Sequence, residues 1–368
     1  MRAIRHLVTG LLMAIPVALA GQGGAPTLTL GKPRFTTDQL ELDRVRGAGL
    51  LPDGRIAIAN AGTSNVVILN RRGTVDKRFG RAGAGPGDFG GLDRLTTFGD
   101  TIVTWDGLLL RITLWRADGT VIRSFSPEAP PGLKGLVSLE SIKSPSGYVA
   151  TVRVYDKQPR NGVYLNTVAL FAADGTTRTS LGQHPWTYSY FYGEKSGSAS
   201  YATPFLGESL VESAAGKIAL LTLGEARVAL LHADGTRGSV TLPIKPVTGR
   251  ERAKVYGDAM IAAEKAPDPQ WVRKIRLMFG SDFPMVERQG VAQRAVAVGS
   301  NVWFQEFRQP QDSLASWWIV DARHETLIGR VALPATAKVL GGNDQQVLVL
   351  RTDADGVQSV AVYDTPRR

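Results

Sequence analysis

Short runs of apolar, β-branched and aromatic residues, each closed by Gly or Asp, recur along the chain from Leu42 to its end. The pattern is clearest in residues 80–125, GRAGAGPGDFGGLDRLTTFGDTIVTWDGLLLRITLWRADGTVIRSF. A glycine-rich loop from Gly80 to Gly91 leads into four predicted strands: Leu92 to Phe98, Thr101 to Asp106, Arg111 to Arg116 and Val121 to Phe125. Gly99-Asp100 and Asp118-Gly119 form the tight turns between them. Apolar alternation bounded by such dipeptides is the signature of strands and hairpins. One small sheet of this kind cannot bury both its faces, so it requires neighbours like itself.

Those neighbours are present. An inner comb of turns comprises Asp53-Gly54, Gly99-Asp100, Ser146-Gly147, Ala215-Gly216, Gly299-Ser300 and Gly342-Asn343. An outer comb comprises Arg72-Gly73, Asp118-Gly119, Asp174-Gly175, Asp234-Gly235, Arg323-His324 and Asp364-Thr365. The two alternate strictly. Their shortest spacing is about 45 residues, the length of a four-stranded propeller blade. Three outer turns share one local motif, LWRADGT, LFAADGT and LLHADGT, and ILNRRGT is its first copy. The expected fold is therefore all-β: a six-bladed β-propeller of four-stranded antiparallel blades, with seven blades as the alternative. Blade one covers Leu42 to Phe79, blade two Gly80 to Phe125 and blade three Leu136 to Gly182. Blade four covers Leu206 to Pro243, blade five Gly290 to Pro334, and blade six begins at Ala335. Blade six shows only three strands of its own. The segment Pro33 to Leu40 is the natural donor of the fourth, which would close the ring and remove its open edges.

Two insertions interrupt the rhythm. Residues 184–205, HPWTYSYFYGEKSGSASYATPF, concentrate Trp186, Tyr188, Tyr190, Phe191, Tyr192 and Tyr201 in what reads as an aromatic loop. Residues 244–283 read as helical. Thr248 with Glu251 fits a capping box ahead of a helix from Arg250 to Ala266. Asp268-Pro269 is an N-cap followed by Pro at the first helical position. Trp271, Ile275 and Met278 share one face of the second helix, either as packing for a helical hairpin or as part of a lid.

At the start of the chain, Arg2 and Arg5 precede an apolar run, Leu7 to Leu19, ending in Ala18-Leu19-Ala20. This is the pattern of a secretory signal peptide over residues 1–20. The run is too short to span a bilayer comfortably, which takes about 20 apolar residues, and Pro16 interrupts it. A mature chain of 21–368 would be one periplasmic or secreted propeller domain without a transmembrane segment, and a monomer is expected. There is no Cys, so neither lipidation at a cysteine nor a disulfide is available, and the core alone must hold the fold. The net charge is +10, or +8 once Arg2 and Arg5 are removed. That favours acidic partners, but no basic cluster interleaved with aromatics marks the chain as a nucleic-acid binder.

The stretch FGRAGAGPGDFGGLDRL resembles the opening of an NHL-type propeller repeat. SDFPMVERQGVAQRAVAVGSNVWFQEF and the C-terminal VALPATAKVLGGNDQQVLVLRTDADGVQSVAVYDTPRR look like bacterial exported six-bladed propellers of unsettled activity. The resemblance implies a six-bladed propeller outside the cytoplasm and brings no catalytic residues with it. Blades three to five are longer than a strict NHL repeat and lack its glycine-rich loop.

The chemistry in the sequence is sparse. Beyond the leader only His184, His232 and His324 remain, and two of these stand at outer turns. A His-built zinc site is not supported, and no G-x-S-x-G elbow is present. Gly80 to Gly91 lacks the G-K-[ST] ending and the following helix of a phosphate loop. Two function classes follow. One is a non-enzymatic binding propeller, whose loop face and central mouth take a protein, peptide or glycan, with Trp186, Tyr188, Tyr190 and Tyr192 as stacking surface. The other is a lactonase-like hydrolase with calcium on Asp106, Asp156 and Glu306, which stand at or just after second-strand ends; each of these could instead cap its own loop. A third role, as an envelope scaffold, would use the basic surface or the helical insertion.

Overall fold

A computed structural model describes residues 25–366, apart from 39, 130–134, 145–146, 154–161, 173, 175, 193–198, 203–207, 233, 245–249, 265, 280–289 and 309–310. The leader at 1–20 lies outside the described residues. None of the described helices is long and apolar enough to cross a membrane.

Two short strands come first, β1 (Thr27–Leu28) and β2 (Phe35–Thr36). Blade one is β3 (Val45–Leu50), β4 (Ile56–Asn60), β5 (Asn65–Leu69) and β6 (Val75–Phe79). Blade two is β7 (Leu92–Phe98), β8 (Thr101–Asp106), β9 (Arg111–Arg116) and β10 (Val121–Phe125), each with the bounds its alternation predicts. Blade three is β11 (Leu136–Ser144), β12 (Gly147–Arg153), β13 (Gly162–Ala172), β14 (Thr177–Tyr192) and β15 (Ala199–Ala202). Blade four is β16 (Leu210–Ala214), β17 (Lys217–Leu221), β18 (Arg227–Leu231) and β19 (Arg237–Thr241). Helices α1 (Arg250–Ala263) and α2 (Pro269–Met278) follow. Blade five is β20 (Ala292–Val298), β21 (Asn301–Glu306), β22 (Leu314–Asp321) and β23 (Thr326–Pro334). Blade six is β24 (Lys338–Gly342), β25 (Gln346–Thr352) and β26 (Gln358–Asp364). These pair as six separate sheets.

Each outer D-G-T turn is held by its own side chains. The carboxylates of Asp118, Asp174 and Asp234 accept the backbone N–H of Thr120, Thr176 and Thr236 at 2.8–2.9 Å. The Thr176 and Thr236 hydroxyls add a second bond. These bonds stabilise the ionised form and hold all three carboxyls below their usual value. ILNRRGT lacks the Asp, and Asn70 takes over: its Oδ1 accepts from Arg72 and Thr74 N–H.

The core is a ring of six apolar layers, one between each neighbouring pair of blades. Ala57, Ile68, Phe89, Ile102 and Trp115 fill the gap between blades one and two, and Val103, Trp105, Leu139 and Phe171 that between two and three. Val149, Trp186, Val211 and Leu231 lie between three and four, and Val228, Leu230, Phe304 and Val320 between four and five. Trp303, Trp317, Val347 and Val349 join five to six, and Ile58, Val67, Leu348 and Val360 close six onto one.

The N-terminal segment seals this ring as the pattern predicts. β2 pairs antiparallel with β26, Phe35 opposite Val362 and Thr36 opposite Ala361, and supplies the outer strand of blade six. A second clasp has no counterpart in the sequence pattern. β1 pairs parallel with β23, adding a fifth strand to blade five.

Residues 184–205 are not a simple aromatic loop. β14 continues through Trp186 to Tyr192, paired with a lengthened β13, and β15 pairs back on it with Tyr190 opposite Tyr201. Blade three thus overhangs the face where second and fourth strands end, here termed the upper face. The helices stand on the same face, in the connection between blades four and five. α1 ends three residues before the predicted limit. The proposed capping box falls outside the described residues, since Thr248 is not among them. Asp268 caps α2 by accepting from Gln270 N–H at 2.9 Å, with Pro269 at the first position. Ile275 and Phe279 bury themselves among Tyr256, Met260, Ile261, Trp271 and Met278. The apolar stripe is therefore consumed in packing helix against helix.

Candidate functional site

The six first strands, β3, β7, β11, β16, β20 and β24, surround an axial cavity of about 790 Å³. Ligand sites typically occupy about 300–1,000 Å³. Glycines let the strands crowd: a Cβ at Gly47 would lie 2.7 Å from the Leu95 carbonyl oxygen, and one at Gly341 2.8 Å from that of Ala48.

Every blade places a charged residue on this cavity, on its first strand or, in blade four, just before it. They are Arg46, Arg94, Glu140, Glu208, Arg294 and Lys338, from blades one to six in turn. Register shifts at Val45/Gly47, Leu92/Arg94, Leu139/Ser141 and Ala292/Arg294 mark β-bulges beside four of them. A bulge turns a side chain away from strict alternation. Blades five, six, one and two adjoin, so Arg294, Lys338, Arg46 and Arg94 form one continuous cationic arc. Glu140 and Glu208 form the acidic arc that completes the rim. Asp93, also on the wall, lays its carboxylate against Gly107 in its own blade.

The two arcs meet at one ion pair. Arg94 Nη1 donates to the Glu140 carbonyl oxygen at 2.5 Å, and its Nη2 lies 3.7 Å from Glu140 Oε2. Glu140 Oε1 also accepts from the Thr151 hydroxyl at 2.8 Å. Among the described residues, the side chains of Arg46, Arg294, Lys338 and Glu208 have no hydrogen-bond or ion-pair partner. Burial, then the guanidiniums of Arg94 and Arg46, hold Arg294 below its ordinary value. Burial, then Arg294, Arg46 and Arg308, do the same to Lys338. The cations therefore strain against one another. On the other side, burial raises the Glu140 carboxyl despite Arg94, and Glu208 adds to the rise.

Deeper in the channel, Glu212 accepts from the Ser141 hydroxyl and from Ser213 N–H, the latter at 2.9 Å. Burial raises its carboxyl above the usual value and outweighs these bonds. A carboxyl whose pKa is raised on folding is most favourable when protonated, and it costs stability as pH climbs from its unfolded pKa to its folded one. Glu212→Gln is therefore expected to match the parent's melting temperature near about pH 4 and to exceed it at about pH 8. Paired thermal melts at the two pH values check this; equal melting at both would show that the carboxyl carries no burial penalty.

The candidates named from sequence stand elsewhere. Asp106 is 2 % exposed. Its carboxylate accepts four backbone N–H bonds, from Gly90 (2.7 Å), Gly91 (3.0 Å), Leu108 (3.1 Å) and Leu109 (2.9 Å). It ties the glycine-rich loop to blade two, and Arg111 helps by donating to the Ala84 and Asp88 carbonyls. Glu306 accepts from Trp318 Nε1 at 3.1 Å within blade five, opposite blade two in the ring. Neither lines the axial cavity. Asp156 lies outside the described residues. Among the described residues there is no group of three His, Asp or Glu that could hold a metal. Trp186 is 2 % exposed and packs between blades three and four. Tyr188, Tyr190 and Tyr192 continue β14, and their side chains lie outside the described residues.

The rim residues are not among the candidates named from sequence, in which no basic cluster interleaved with aromatics stands out. A faint signal existed. DRVRG, LDRLT, AQRAV and TAKVL each carry a cation at the entry of a first strand, in four of six repeats.

Fold and site together define a six-bladed β-propeller with a charge-divided axial mouth. No family model matches the chain, so the NHL likeness stays a resemblance. No curated protein matches it either. Solved structures with a similar trace include a "putative exported protein" from Bacteroides fragilis, 11% identical with a TM-score of 0.48, covering 93% of this chain and 99% of that one. A DUF4221 family member from Bacteroides vulgatus is 10% identical, TM-score 0.48, covering 93% and 98%. BamB from Moraxella catarrhalis is 10% identical, TM-score 0.34, covering 88% and 86%.

Proposed function

We propose that the protein is an exported binding propeller that takes an anionic ligand, or the anionic group of a partner, in its axial mouth without reacting with it. One observation carries the reading: Arg46, Arg294 and Lys338 converge on the rim beside Arg94, with no carboxylate of their own among the described residues. Grouped cations that repel one another cost free energy, and an anion placed among them relieves that cost. Arg suits carboxylate or phosphate especially well, because its planar fork matches two oxygens at once. The leader pattern at 1–20 supports export, and with it a ligand met outside the cytoplasm.

Citrate and phosphate are the simplest probes. Both are expected to raise the melting temperature of the parent protein, as any ligand selective for the folded state does. Calorimetric titration should show affinity falling at least about tenfold in Arg46→Ala/Lys338→Ala, or about 1.4 kcal/mol. The response should weaken with added salt. Equal responses from parent and double variant would remove the mouth as the site.

A further inference from the structure

We infer that the mouth selects a zwitterion, an anionic group and an ammonium joined by a short backbone, which is the chemistry of a short peptide with both termini free. The inference rests on the anion reading and deepens it, because the same cavity has a second, opposite pole. Its rim is charged in sequence around the ring: positive on blades five, six, one and two, negative on blades three and four. The negative pole is not spent on the positive one. Glu140 is engaged by Arg94 and by the Thr151 hydroxyl, but Glu208 has no partner among the described residues.

Each pole is strained in its own way. Arg94 and Arg46 press on Arg294, while Glu208 presses on Glu140. An anion alone relieves only the first strain, and a purely anionic ligand long enough to span the cavity would bring like charge against Glu208 and Glu140. A carboxylate set among Arg46, Arg294 and Lys338, with an ammonium turned towards Glu208, relieves both. Three donors on the ammonium suit an acceptor-only carboxylate. Away from the charged residues the wall is formed by the first strands themselves, with Thr97, Ser141 and Ser213 among small apolar residues such as Ala48 and Ala295. That wall can accommodate a peptide backbone without selecting among side chains. Electrostatic complementarity of this kind sets specificity and orientation more than raw affinity.

The test uses a randomised tripeptide pool in three forms: free, N-acetylated and C-amidated. Retention on the whole protein is read by equilibrium dialysis with mass-spectrometric counting, beside a citrate titration. The free pool should be retained at least about tenfold better than either blocked pool, the equivalent of about 1.4 kcal/mol. Glu208→Gln should lower the free pool to the level of the acetylated one while citrate still binds it at least as well as the parent, which also shows that the variant is folded. If acetylated and free pools are retained equally, or Glu208→Gln changes nothing, the zwitterion inference fails while the anion reading stands. Retention of the amidated pool as strong as the free one overturns it as well. If neither citrate nor any pool binds, both readings fall together.

Discussion

A chain lacking residues 25–40 is expected to melt about 10 °C or more below the full propeller and to associate in solution. The segment contributes on two levels. Its backbone completes blade six: Arg34 N–H donates to the Val362 carbonyl at 2.7 Å, and Thr37 N–H to that of Val360 at 3.1 Å. Val360 N–H in turn donates to the buried Thr37 hydroxyl at 2.8 Å. Its side chains Phe35 and Leu40 pack on the layer between blades six and one. Burying a large apolar side chain is worth about 1.5–3 kcal/mol, and about 1 kcal/mol shifts the melting of a large domain by about 2–4 °C. Deletion also leaves β26 as a bare edge, a template for pairing with another chain. The Arg34–Asp364 bridge contributes little, because both side chains are more than half exposed, and such pairs are worth about 0–1 kcal/mol. Removing residues 25–30 alone takes away β1 and should have the smaller effect. Calorimetry with size-exclusion chromatography decides the matter. A truncated chain that melts with the parent and stays the same size would mean that the ring is not sealed by this strand.

Asp106→Ala should be the most damaging single substitution of a polar residue, destabilising by about 3 kcal/mol or more. Four N–H groups lose their acceptor at once, and each buried unsatisfied donor costs about 1–3 kcal/mol, less what water recovers. The damage spreads through the glycine-rich loop. Phe89, which that loop carries, lies 5.6 Å from the Trp115 ring in the layer between blades one and two. Gly80 has φ +83°, and a Cβ there would meet the Phe89 ring at 2.4 Å, so the loop has no slack with which to adjust. Asp106→Asn keeps one acceptor oxygen and should fall between. Urea unfolding measures both variants. The same series tests the calcium reading. With the carboxylate engaged by four N–H groups, calcium or chelator should leave the parent's midpoint unchanged. A calcium-dependent rise that disappears in Asp106→Ala would instead make this carboxylate a metal ligand.

The places where pattern and structure part company are instructive. The run from Trp186 to Tyr190 alternates aromatics with Thr and Ser, which is itself a strand period, but it reads as a loop because nothing nearby in sequence offers it a partner. Its partners are β13, begun early, and β15, which follows a break. Strand pairing is decided by such non-local contacts, and strand propensity depends strongly on that context. β1 is two residues long and carries no period at all. Asp106 was correctly placed at the end of a second strand, and its alternative reading as a loop cap matches the four bonds it accepts. What the alternation of residues could not show was which way the carboxylate faces.

Blade number, strand limits, D-G-T turns and the donated outer strand of blade six were legible because each is written in local chemistry: a period of two, a turn residue that tolerates a left-handed backbone, an unpaired third strand. The charge-divided mouth was decided by tertiary structure alone. Successive members stand 44 to 86 positions apart and share no motif strong enough to announce them. Only closure of the ring brings six strand entries to one axis, and electrostatic coupling between side chains depends on distance through space, to which order along the chain is no guide.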